Sequence, residues 1–400
     1  MKIVLAYSGG LDTSVALRWL KEHYQAEVIA FCADLGQPED LPAIRAKALA
    51  SGASKVFIED LREEYLRDFV FPALRAGALY ERRYTMAAPL GRPLIARHLV
   101  RIAHAEGAQA VAHGSTGKGN DQVRFYAGVV AHDPTLRVLA PCAEWELKSR
   151  DEELAYAQRF GIPVSATADS PFSMDGSLWG ASTECGIIDD FRTRLPVNAF
   201  QLTTDPQQAP DAPARLVIGF ERGVPVSLDG QRLAPVELVR HLTELGGRHG
   251  VGRVDMVENS LMGIKNRALY ESPAGAILHF AHRELEDLTI DCDTLHCKAE
   301  LALKYAELVY RGQWWSPLRQ ALDAFVEASQ AHVNGSIGLC LYKGGIWVEG
   351  RETFDALFDY SLTAQDSADR FNHPAGIGFS YVWSLPQRIR AKLRGPASEL

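Results

Sequence analysis

Four hundred residues exceed what a single hydrophobic core usually supports, so more than one domain is expected. An apolar share of 47% beside 23% charged residues is that of an ordinary water-soluble globular chain, and no run is long enough to span a membrane. The net charge of −8 argues against a dedicated nucleic-acid binder.

Six cysteines (Cys32, Cys142, Cys185, Cys292, Cys297 and Cys340) are scattered without a Cys-x-x-Cys pair and read as free thiols of a cytoplasmic protein. The run from Asp291 to Cys297 fits no zinc spacing, and His279 and His282 lack a companion glutamate motif, so no metal ligand is assigned. Asn334-Gly-Ser336 has the form of a glycosylation sequon but reads as a turn.

In chain order, Met1-Lys-Ile-Val-Leu-Ala-Tyr7 is a strand running into a functional loop rather than a signal peptide. The loop is Ser8-Gly9-Gly10-Leu11-Asp12-Thr13-Ser14, and Val15, Leu17 and Leu20 continue at helical spacing. Free N–H groups and the positive end of the helix dipole converge there, so the turn suits a phosphate, with Ser8, Thr13 and Ser14 adding hydroxyl donors. Asp12 beside a polyanion makes sense as an N-terminal cap or as a residue facing a bridging cation such as Mg²⁺. Two better-known phosphate loops are excluded. Gly117-Lys118 is followed by Gly119, with Ala112 where a Walker-type loop needs glycine, and Gly9 and Gly10 are adjacent, unlike Gly-x-Gly-x-x-Gly.

Strands are then expected at 27–33, 55–59, 108–113 and 138–140, and helices at 39–51, 61–74, 93–106, 123–130 and 149–160, with Pro93 in a tolerated first-turn position. This alternation implies an α/β domain, an open parallel sheet with helices on both faces. Ligands bind beyond the carboxyl ends of such strands, so loops 8–14, 33–38 and 113–121 share one edge, and Ala33 marks where an adenosine would lie. In Gly114-Ser-Thr-Gly-Lys-Gly-Asn-Asp-Gln-Val-Arg124, three glycines expose the backbone and Asn120-Asp121 can cap the next helix. Asn120 and Arg124 share one helical face, an amide and a guanidinium fit for a carboxylate or ureido group.

From about residue 165 the pattern changes. Asp169 to Gly180 and Ser182 to Gly186 read as a loop, either linker or lid, and 203–213 with three prolines as an exposed connection. A hairpin is expected at 215–220 and 224–228, a helix at 235–245, two long helices around 281–330, and a hairpin over 336–348 turning at Lys343-Gly-Gly345. Taken alone, Glu258 is a solvated loop acid. A last helix near 381–393 carries Arg388, Arg390, Lys392 and Arg394, and reads as a tail rather than a membrane or RNA contact.

Loop 8–14 resembles the Ser-Gly-Gly-x-Asp-[Ser/Thr]-Ser signature of N-type ATP pyrophosphatases, which cleave ATP between the α- and β-phosphates and adenylate a substrate oxygen. Together with 114–124 and most of the remaining chain, it resembles the argininosuccinate synthase family. The resemblance implies an adenine-nucleotide alpha-hydrolase-like domain over 1–165, an α+β synthetase domain over 166–370 and a C-terminal oligomerisation helix within 371–400, which crosses to another subunit of a homotetramer. It implies ATP-dependent ligation of L-citrulline and L-aspartate through a citrullyl-adenylate, releasing AMP and pyrophosphate, with Mg²⁺ and with neither nucleic acid nor membrane as partner. By the same resemblance, Ala6, Tyr7, Ser8, Gly9, Gly10, Leu11, Asp12, Thr13, Ser14, Ala33 and Gly114 contact ATP. Tyr84, Asn120, Arg124, Ser173, Ser182, Glu258 and Tyr270 contact citrulline, and Thr116, Asn120 and Asp121 contact aspartate.

The chain departs from the family at Ala87-Ala88-Pro89, where Gly-Thr-Ser is common, so a serine assigned to citrulline is replaced by Pro89 and that contact is not carried over. No general base is assigned. Two alternatives stand beside this reading. A tRNA-modifying thiolase needs reactive cysteines and a basic surface. A non-catalytic adenine-nucleotide sensor needs the phosphate loop but not the 114–124 constellation, and turnover separates it from an enzyme.

Overall fold

The computed structural model describes residues 1–147, 149–163 and 172–395. The boundary expected near 165 and the stretch 169–171 lie outside them. Strands β1 (Lys2–Ala6), β2 (Glu27–Asp34), β3 (Lys55–Asp60), β4 (Ala110–Ala112) and β5 (Arg137–Leu139) form a parallel sheet in the order β3-β2-β1-β4-β5. The period-2 alternation of β1 separates two cores. Ile3 and Leu5 join Val28, Ala30 and Ala112 under the helices Leu11–His23, Leu41–Ala50 and Arg150–Arg159. Val4 joins Ile29, Phe31 and Val111 under the helices Ala87–Glu106 and Asn120–His132. Helices therefore cover both faces, as the alternating pattern predicts. The chain leaves β1 toward β2 on one side and returns to β4 on the other, so a topological switch point opens between the carboxyl ends of β1 and β4.

Two helices start earlier than the sequence suggests. Ala87–Glu106 begins six residues before Pro93, which sits in the helix interior. Pro89 lies in the first turn, where a missing N–H leaves no intrahelical bond unmade, while Pro93 deprives the Pro89 carbonyl of its usual donor. Asn120–His132 begins at Asn120 itself. Gly119 is the N-cap and no side chain caps it, so Asn120 and Asp121 do not serve as caps.

The segment read as a loop forms a hairpin, β6 (Ser173–Ser177) and β7 (Gly180–Glu184). Strands β8 (Ala214–Glu221), β9 (Val224–Leu228), β10 (Gln231–Arg232), β11 (Arg253–Asn259), β12 (Lys265–Glu271), β13 (Gly335–Tyr342) and β14 (Gly345–Glu352) follow. They give two antiparallel sheets, β10-β9-β8-β13-β14 and β11-β12-β7-β6. Ser173-Met-Asp-Gly-Ser177 has poor strand propensity, and pairing with β7, itself paired with β12, decides its conformation. Three helices, Pro273–Thr289, Cys292–Tyr310 and Pro317–Ser329, occupy the region where two are expected. The Asp291 and Ser316 side chains cap the second and third, and Pro317 follows its cap as first helical residue.

Contacts divide the chain into two compact units, 1–355 and 356–400. In the second, the expected single tail helix is two, His373–Trp383 and Leu385–Arg394, separated at Ser384 before Pro386. Ile377, Phe379, Val382 and Trp383 are exposed there. Among the described residues, no helix is long and apolar enough to cross a membrane.

Candidate active site

At the end of β1, the Tyr7 N–H donates to the Phe31 carbonyl on β2 at 2.8 Å, holding the loop to the sheet. Ser14 Oγ donates to the Gly10 carbonyl at 2.7 Å and pairs with the Tyr7 hydroxyl at 2.9 Å. Ser8 Oγ accepts from the Gly10 N–H at 3.3 Å and pairs with Thr13 Oγ1 at 3.1 Å. Leu11, Thr13 and Ser14 are buried, whereas Ser8, Gly10 and Asp12 face outward at the N-terminus of the helix Leu11–His23. The hydroxyls thus brace the turn from inside and leave the dipole end open to an anion.

Gly114 closes the loop from the β4 side. A Cβ there would lie 2.6 Å from Thr13 Cγ2, so only glycine lets the two loops touch. Near the end of β2, the half-buried Ala33 accepts through its carbonyl from the Gln37 side chain at 2.7 Å. His113 is buried against Phe125, and burial pushes it down to about 4, so it stays neutral. Asp12 is not a cap, since Gly10 holds that position without a side-chain bond. Its carboxylate lies beside Glu153, which burial and then Asp12 push up to about 8. Two adjacent carboxylates at the mouth of a phosphate loop are hard oxygen donors of the kind a divalent cation takes. Among the described residues, no three metal-ligating side chains gather into a site of their own.

The second half of the site is a hydrogen-bonded cluster. Asn120 Nδ2 donates to the Tyr310 hydroxyl at 2.9 Å, and Asn120 Oδ1 accepts from the Leu261 N–H at 2.8 Å. Arg124 donates through Nε to the Tyr310 carbonyl at 2.8 Å and through a terminal nitrogen to Asp121 at 2.7 Å. The other Asp121 oxygen accepts from Arg92 Nε at 2.8 Å, and Arg92 also pairs with Asp175. Burial alone would raise the Asp121 carboxyl, but Arg92 and Arg124 hold it well below its ordinary range. Glu258 on β11 is 1% exposed, not the solvated loop acid expected from sequence alone. It accepts from Tyr310 at 2.5 Å and from Tyr270 at 2.8 Å. Two stacked pairs wall the cluster, Tyr84 on Tyr270 with ring centroids 3.6 Å apart and Tyr80 on Tyr310 at 3.5 Å.

Register brings in the hairpin. Ser182 lies opposite Tyr270 on β12 and Asp175 on β6, while Ser173 pairs with Glu184 and is itself exposed. Glu184 shares a face with Ser182, and burial, then Glu258, Asp121 and Asp175, push its carboxyl up to about 7. Pro89 is buried, and the adjoining cleft is lined by Tyr84, Ala88, Arg92, Asp175, Ser177 and Ser182. Loop residues Thr116 to Lys118 are exposed at the rim. Of the expected contacts, Asn120, Asp121, Arg124, Glu258 and Tyr270 meet in one network, Tyr84 and Ser182 border it, and Ser173 stands at its edge.

The sequence alone gives no role to Tyr310, Tyr80, Arg92, Asp175 or Glu184. Tyr310 ends a helix with no motif around it, and only the fold brings it to Glu258. Arg92 lies three residues beyond the Ala87-Ala88-Pro89 stretch where the chain departs from the family pattern.

Sequence comparisons place the chain among known proteins. Residues 2–163 match the family model described as the arginosuccinate synthase N-terminal HUP domain, and residues 172–390 match the arginosuccinate synthase C-terminal domain. An argininosuccinate synthase of Carboxydothermus hydrogenoformans is 51% identical over 395 residues, covering 99% of this chain and 98% of the relative. Those of Roseiflexus sp. (strain RS-1) and Caldanaerobacter subterraneus are 50% and 48% identical, each over 98% of this chain and over 97% and 95% of their own lengths. The chain belongs to the argininosuccinate synthase family.

Proposed function

We propose that this protein joins L-citrulline to L-aspartate, converting MgATP to AMP and pyrophosphate through a citrullyl-adenylate. The observation that carries the proposal is the network that ties Glu258 and Tyr310 to Asn120, Arg124 and Asp121, on the same sheet edge as Thr13 and Gly114. A ureido oxygen is a poor leaving group, so it first attacks the α-phosphorus in line and becomes adenylated. The departing pyrophosphate lies on loop 8–14, at the open N-terminal end of the helix Leu11–His23, in a turn that its own hydroxyls hold in shape. The aspartate amine then attacks the activated carbon, the new C–N bond forms, the C–O bond breaks, and AMP leaves.

Ala6 to Ser14, Ala33 and Gly114 hold the nucleotide. Glu258, with its carboxylate oriented by two tyrosines, takes the citrulline ammonium. Tyr84, Tyr270, Asn120, Arg124, Ser173 and Ser182 complete the citrulline site, and Thr116, Asn120 and Asp121 take aspartate. Asp12 and Glu153 would hold the Mg²⁺ of MgATP, which would neutralise phosphate charge there. Positioning and charge stabilisation carry the chemistry, with a substrate phosphate receiving the amine proton.

The same proposal takes 1–165 as nucleotide domain, 166–370 as synthetase domain and 371–400 as the tail joining a cytoplasmic homotetramer. A thiolase is disfavoured at the three thiols of the first 185 residues, where burial raises Cys185 and pushes Cys32 and Cys142 up to about 12, away from reactivity. The test is pyrophosphate release from MgATP with both amino acids present and with each omitted. Release requiring both, with argininosuccinate formed, supports the proposal. ATP binding without release under any combination would instead favour a sensor.

A further inference from the structure

Lys47 lies on the helix Leu41–Ala50, outside both halves of the site described above, yet it reaches the phosphate loop. Its Nζ donates to the Gly9 carbonyl at 2.5 Å. Gly9 has a φ of +81°, and a Cβ there would lie 2.9 Å from Ile44 Cγ1, one turn before Lys47 on the same face of the helix. The loop is thus seated on that face, and the left-handed conformation at Gly9 accompanies a carbonyl that points to the lysine.

Half-buried, the ammonium has lost part of its water, and desolvation lowers it from its ordinary value. Among the described residues no carboxylate lies within salt-bridge distance of it. One of its three donors is committed to Gly9, which leaves two for another acceptor. A partly desolvated cation without a counter-charge, on a loop built to receive an anion, has a natural partner in that anion.

We propose that Lys47 is the counter-charge for the pyrophosphoryl part of the nucleotide. While doing so it holds the Gly9 carbonyl, whose partial negative charge would otherwise oppose the anion. The inference rests on the assignment of loop 8–14 to pyrophosphate and adds a residue on a separate helix to it.

The experiment is calorimetric titration of the full chain with inorganic pyrophosphate in the presence of Mg²⁺, and separately with AMP. It compares wild type with Lys47→Met, Lys47→Arg and Lys47→Gln. Lys47→Gln keeps an N–H for Gly9 but not the charge. The expected result is a pyrophosphate Kd raised at least about tenfold in Lys47→Met and Lys47→Gln and within about threefold of wild type in Lys47→Arg, with AMP affinity unmoved. Lys47→Gln binding pyrophosphate like wild type would overturn the role of charge. Equal weakening toward pyrophosphate and AMP would show a structural role only. Wild type failing to bind pyrophosphate would overturn the loop assignment, and the role of Lys47 with it.

Discussion

The phosphate loop and the substrate cluster are built in opposite ways. Loop 8–14 is one contiguous segment whose hydroxyls bond mainly to their own neighbours, Ser14 to Gly10 and Tyr7, Ser8 to Thr13. The cluster takes Arg92, Asn120 to Arg124, Glu258, Tyr270 and Tyr310 from four distant parts of the chain. A contiguous loop fails locally when one member is changed. A network of buried charges fails as a unit, because each removed partner leaves another group unsatisfied.

The largest expected effect is therefore in the cluster. Arg124→Ala removes a buried guanidinium and leaves the half-buried Asp121 carboxylate with Arg92 alone, at about 3 kcal/mol, and should lower kcat/KM for citrulline by roughly a thousandfold in steady-state assays. Pyrophosphate affinity, measured by calorimetry, should stay near wild type. A parallel loss of both would erase the distinction between the two regions.

Tyr310→Phe keeps the ring stacked on Tyr80 but removes the hydroxyl that donates to Glu258 and accepts from Asn120. A loss of about 2–3 kcal/mol, or roughly 30- to 150-fold in kcat/KM for citrulline with KM for ATP unmoved, is expected. In the loop, Ser14→Ala removes only local bonds and should cost about 1 kcal/mol, read as roughly a fivefold rise in KM for ATP.

The smallest effect sharpens the comparison through pH. Glu184, pushed up to about 7 by burial, is neutral below that pH and adds a second negative charge beside Glu258 above it. The citrulline ammonium should therefore bind better as pH rises, with KM falling a few-fold, roughly three- to tenfold, between about pH 6 and 8. Glu184→Gln should flatten that profile. Because the folded-state value is raised, ionising Glu184 lowers stability as pH rises from about 4.5 to 7. The variant should accordingly gain Tm relative to wild type at pH 8 but not at pH 4, which a thermal melt reads directly.

The same contrast explains what was legible in the sequence. Ser8 to Ser14 and Gly114 to Arg124 could be read because strand, turn and helix signals lie next to one another and fix where the groups point. The parallel sheet followed from alternation for the same reason. Glu258 could not be placed on its own chemistry, since its burial depends on a β11–β12 pairing and on Tyr310, 52 residues away. Asn120 and Asp121 looked like caps because their local preference is real, but Tyr310, Leu261 and Arg92 claim their side chains in the fold. Lys47 carries no motif at all, and only the packing of its helix against Gly9 reveals it.

The most direct test of the central claim follows the ureido oxygen. With citrulline labelled by ¹⁸O at that position, a single turnover with ATP and aspartate should place the label in the phosphate of AMP, because the oxygen is adenylated before the amine displaces it. Label found in water or in pyrophosphate, with AMP unlabelled, would contradict the account.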